Sequence, residues 1–119
     1  MTLFDNGDTR ISEFGGNSQG MVLNVNIPQR TVSSALTQNL GVYSIALGSA
    51  QALSNGNYMF FAGDVPVSQG TMAFSLEYSA TGTPAYSERI SSGAYRAFRV
   101  TDLYRPPNGG GVDTAQAGR

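Results

Sequence analysis

The sequence predicts an all-β antiparallel sandwich of about eight short strands, jelly-roll-like, with extended N- and C-terminal arms. Three observations carry this. Apolar and polar residues alternate with period two in several runs, turn signals separate the runs, and no segment holds a long amphipathic helical repeat. Eight strands favour a jelly roll; an immunoglobulin-like sandwich without its cysteines and tryptophan is the second choice. At 119 residues the chain has room for one hydrophobic core. Residues 1–104 are assigned to a single domain opened by an extended segment, 1–8, and residues 105–119 to a Pro/Gly-rich arm.

Taken in order, a weak strand is expected over residues 9–14. GMVLNVNIP, residues 20–28, sets Leu23, Val25 and Ile27 on one face and Val22, Asn24 and Asn26 on the other, a half-buried strand that Pro28 ends. TVSSALTQNL suggests a strand near 31–37. Val32, Ala35, Leu36 and Leu40 also have helix-like spacing, but serine, threonine and asparagine are mediocre helix formers and Gly41 follows, which allows a helical turn or two at most. Strands near 41–48 and 57–62 flank Asn55-Gly56, a dipeptide that accepts positive φ at both central positions of a tight hairpin. TMAFSLEYS, residues 71–79, alternates Met72, Phe74, Leu76 and Tyr78 with Ala73, Ser75, Glu77 and Ser79, so one face meets the core. Two final strands, near 85–91 and 94–104, are separated by Ser92-Gly93.

Composition removes several function classes. Histidine and cysteine are absent, and with them the usual transition-metal ligands, nucleophile–base pairs and any disulfide. Lysine is absent too, so all seven cations are arginines, whose planar fork suits carboxylates and aromatic faces at interfaces. A formal charge of -1 with 13% charged residues creates no field for a polyanion, so neither nucleic acid nor a membrane surface is expected as a partner. MTLFDNGDTR is no signal peptide, no apolar run reaches ~18 residues, and none of the eight asparagines sits in an Asn-x-Ser/Thr acceptor. A soluble protein made in a cytoplasm is expected.

The remaining chemistry is sparse. Glu77 and Glu88 lie on neighbouring predicted strands and could form an acid–base pair, but each falls on the polar face of its run, which favours solvated charges or partners for Arg89 and Arg96. The oxygens of Asp5–Asp8, DNGD, could meet a hard cation, yet the calcium-loop spacing is missing and an Asn-Gly turn explains them better. FGGNSQGM, residues 14–21, and NGGG, residues 108–111, lack the context of a phosphate loop. No catalytic, cofactor-binding or metal-ligating residue is assigned, and no cofactor is expected.

Interest therefore shifts to the surface. In SGAYRAFRVTDLYRPP, Tyr95, Phe98 and Tyr104 interleave with Arg96, Arg99 and Arg105, a stripe suited to a protein interface. The alternative places the aromatics in the core with the arginines over its rim. Asparagine, aspartate and tyrosine in loops also leave a small lectin-like, carbohydrate-binding module open.

A small, cysteine-free, all-β chain with the polar N-terminal segment MTLFDNGDTR and the arm RPPNGGGVDTAQAGR resembles the decoration or cement proteins of tailed-bacteriophage capsids, in overall character across its length. The resemblance implies a non-enzymatic virion protein on the capsid exterior. It would bridge major capsid protein subunits, or copies of itself, and stabilise the shell. Arm residues Arg105, Pro106, Pro107, Val112 and Arg119, with Tyr95, Arg96, Arg99 and Tyr104, form the expected partner interface: prolines stiffen the exit, glycines permit close approach, and Val112 adds a small anchor. A tail, baseplate or fibre-associated β-domain is the companion expectation.

Overall fold

Seven strands form among the residues described, 1–10 and 16–100 of a computed structural model. β1 (Thr2–Asp5), β2 (Gln19–Asn26) and β3 (Thr31–Asn39) make a three-stranded antiparallel sheet in the order β1-β2-β3. β4 (Gly48–Ala52), β5 (Tyr58–Val67), β6 (Gly70–Tyr78) and β7 (Pro84–Ile90) make a four-stranded antiparallel sheet in the order β4-β5-β6-β7. The all-β sandwich is the predicted class. Each sheet is a meander of consecutive strands, because short turns pair sequence neighbours. The crossing connections of a jelly roll do not occur among the described strands.

Several local expectations change. The N-terminal segment is no free arm: Thr2–Asp5 joins the first sheet beside β2. Thr9 and Arg10 lie in a turn, and the rest of the strand expected over 9–14 falls outside the described residues. Residues 41–47 form bends, and the strand begins only at Gly48, because the Ser44 backbone amide and carbonyl bond to side chains rather than to a neighbouring strand. TVSSALTQN is strand, not helix. The Asn55-Gly56 hairpin forms, but only Gly56 takes a positive φ, 85°, after a Leu53–Gly56 turn closed by the Gly56 amide on the Leu53 carbonyl. Residues 94–100 are not a strand; residues 101–104 of that expected strand, and the arm 105–119, lie outside the described residues.

The main core lies between the sheets. Phe60 and Tyr78 from the second sheet meet Val22 and Leu40, with Phe4, Leu36 and Leu76 packed around them; the Phe60 and Tyr78 rings are tilted at 43° with centroids 6.3 Å apart. Two glycines set the sheet separation. A Cβ at Gly20 would overlap the Phe60 ring, and one at Gly48 would overlap the Phe4 ring. Each ring fills a notch in the opposite backbone.

The other face of the second sheet is also buried. Met59, Phe61, Ala73, Ser75 and Glu77 share it. Residues 94–100 cross it as a strap running parallel to β4. The Gln51 side-chain amide accepts from the Arg99 amide and donates to the Arg99 carbonyl, both at 2.9 Å, and Ser49 Oγ donates to the Ala97 carbonyl at 2.8 Å. A chain lying on a sheet face cannot reach backbone groups, which point along the sheet plane, so side chains take their place.

A polar hub joins the loops at one end. Ser18 and Ser44 are fully buried: Ser18 Oγ donates to the Asn6 carbonyl and accepts from the Ser44 amide, both at 2.9 Å. Ser44 Oγ in turn donates toward the Ala46 and Leu47 carbonyls and accepts from the Asp64 amide, beside the irregularity in β5 between Ala62 and Val65. Ser44→Ala strands the buried Asp64 amide and is expected to cost about 1–3 kcal/mol, read by urea unfolding. An unchanged midpoint would show that the hub holds without it.

Candidate interaction surfaces

The sequence-predicted interface is divided by the structure. Tyr95 and Arg96 are exposed and stack on one another, the guanidinium 4.8 Å from the ring centroid. Phe98 and Val100 are exposed too, so the aromatics of this segment do not enter the core. Arg99 is committed elsewhere. It pairs through Nη1 with Glu77 Oε2 and lies 6.0 Å from the centroid of Tyr86. Tyr104, Arg105, Pro106, Pro107, Val112 and Arg119 lie outside the described residues.

Glu77 corrects the sequence reading most. It was expected to be a solvated charge, or a partner for Arg89 or Arg96. It is 4% exposed and holds Arg99 instead. Its Oε1 accepts from Asn57 Nδ2 at 2.7 Å and from Asn55 Nδ2 at 3.1 Å. The Asn57 hydrogen bond lowers its pKa most; burial opposes this, and Asn55 and the Arg99 charge add to the lowering. A carboxylate held this way stays ionised and clamps the strap to the β4–β5 turn. Glu88 remains exposed on β7, 3.4 Å from the Tyr86 hydroxyl.

The acidic turn is likewise occupied by its own fold. Asp5 accepts from the Gly7 amide at 2.9 Å and pairs with Arg10 at 2.7 Å, while Asp8 accepts from the Tyr43 hydroxyl at 3.0 Å. Asn6 donates to the Ser44 carbonyl at 2.8 Å. These are turn contacts, as expected for DNGD.

The largest surface feature was not anticipated. β2 buries its Gly20 and Val22 side, so the row Leu23, Val25 and Ile27 faces outward. Register places Leu3 beside Met21 and Val32 beside Val25 on this outer face. Leu3 is 42% exposed, Val25 48%, Val32 61% and Ile27, at the hairpin tip, 80%. Beyond Leu23, where β1 ends, the β2–β3 hairpin is exposed on both faces. The signal in the sequence was Gly20: a glycine two residues from Val22 marks the side where another layer comes close, even though the opposite side is the more apolar.

No protein family, curated protein or solved structure matches the chain.

Proposed function

We propose that the protein is a structural virion component: a decoration or cement protein that sits on the outer surface of a tailed-phage head, bridges major capsid protein subunits and stabilises the shell. The observation that supports a contact-making role is the outer face of the first sheet. An amphipathic strand with its apolar row in water is at a disadvantage of about 25 cal/mol for each Å² left uncovered, and contact with a neighbour removes it. The phage head comes from the chain's character alone: small, all-β, free of cysteine, with a polar Pro/Gly-rich end. Weak contacts repeated over a symmetric shell then add up to tight attachment.

The test mixes the purified protein with expanded heads stripped of it. Saturable binding in large copy number and a higher capsid melting temperature are expected, and Val25→Asp with Val32→Asp should weaken both. Binding in rings or trimers to tails instead would move the protein to the tail, and no binding to either would remove the virion reading.

A further inference from the structure

We infer that the outer face of the β1–β2–β3 sheet is a self-association surface, covered by the same face of a second copy. This rests on the reading of that face as a contact surface and goes on to name its occupant.

Charge is the first argument. Leu3, Met21, Leu23, Val25 and Val32 carry none, and among the other residues that register and alternation place on this face, Gln19, Ser34, Thr37 and Asn39 are uncharged. The face's one ionic side chain, Asp5 at its base, is neutralised by Arg10 at 2.7 Å. Two copies thus meet without like charges opposed and without stripping water from an unpaired ion. By contrast the strap face shows Arg96, and β7 carries Glu88 and Arg89 in the open.

Shape is the second. The apolar row runs from Leu3 and Met21 at the base, through Leu23, to Val25 and Val32 on the projecting hairpin. A twofold axis near Leu23 lays the tip of one copy on the base of the other, so each exposed valine pair finds Leu3 and Met21. This is the self-complementarity that an isologous interface requires.

Area sets the strength. Eight residues of β2 across three strands cover at most about 26 by 14 Å, or about 370 Å² per copy, under half of the roughly 800 Å² per partner of a standard interface. The association is therefore weak, with a Kd above about 1 μM, and suits a component that gains strength by repetition.

Sedimentation equilibrium of the full chain, from about 1 μM to about 1 mM, tests this. A monomer–dimer equilibrium is expected, weakened at least about tenfold by Val25→Asp and separately by Val32→Asp. Both residues are exposed, so the variants should keep the wild-type melting temperature to within a few degrees. Val67→Asp, on the other sheet, should leave the equilibrium unchanged. A monomer throughout, or equal weakening by Val67→Asp, overturns the inference. If the chain stays monomeric while Val25→Asp still abolishes binding to heads, the self-association fails and the proposed function stands; if neither responds to Val25, both fail.

Discussion

Gly20→Ala is expected to destabilise the protein by about 3 kcal/mol, the upper end of the range for overpacked cores. The new methyl would overlap the Phe60 ring, and Phe60 is fully buried, with Tyr78, Val22 and Leu40 around it. The ring cannot move without displacing neighbours, and β2 cannot retreat without loosening its ladders to β1 and β3. Out of a total stability of about 5–15 kcal/mol, such a loss is a large share. Phe60→Ala should itself cost about 3–5 kcal/mol by leaving a cavity. Phe60→Leu in the Gly20→Ala background should return part of the loss, because a smaller side chain makes room for the methyl. Denaturant unfolding of the four proteins measures the coupling. Additivity to within about 0.3–0.5 kcal/mol would show that the overlap is not where the cost arises.

The second large effect lies at the strap. Arg99→Ala should cost about 2–3 kcal/mol, since Glu77 stays buried with only its two amide donors. The cost stays below that of a fully buried pair because the Arg99 side chain is 55% exposed and screened by water. The same change should release the strap, seen as faster hydrogen exchange at Ala97 and at residue 99, whose amides bond to Ser49 and Gln51. Unaltered exchange would mean that Ser49 and Gln51 hold it alone.

A pH signature accompanies this site. The folded pKa of Glu77 lies below its ordinary value of 4.5. Between the two values the unfolded chain binds more protons, so stability rises with pH across that window. The contribution is complete above about pH 4.5 and is lost as pH falls through the lowered folded value. Glu77→Gln should remove this part of the acid sensitivity. If wild type and Glu77→Gln lose stability in parallel below pH 4.5, the carboxylate is not held as described.

Much of the fold was legible from local pattern. The period-two runs at residues 20–28, 71–79 and 85–91 are strands, and Asn55-Gly56 is a hairpin turn, because alternation and turn chemistry act over a few residues. Which face of a strand is buried was not. Leu23, Val25 and Ile27 outweigh Gly20, Val22, Asn24 and Asn26 in apolar content, yet the second side is buried, since only a glycine admits Phe60 from the facing sheet. Glu77 shows the same limit: alternation assigned it to a polar face, and the strap then covered that face.

The sequence by itself determined an all-β protein with one core, no disulfide and arginine as its only cation, because composition and short-range periodicity decide those properties. Tertiary structure alone decided that Glu77 is paired with Arg99, that residues 94–100 lie across a sheet instead of joining it, and that an apolar row faces water. Those outcomes depend on contacts between residues about 22 to 48 positions apart, where the closeness of two layers, and not the neighbours in the chain, fixes what each side chain meets.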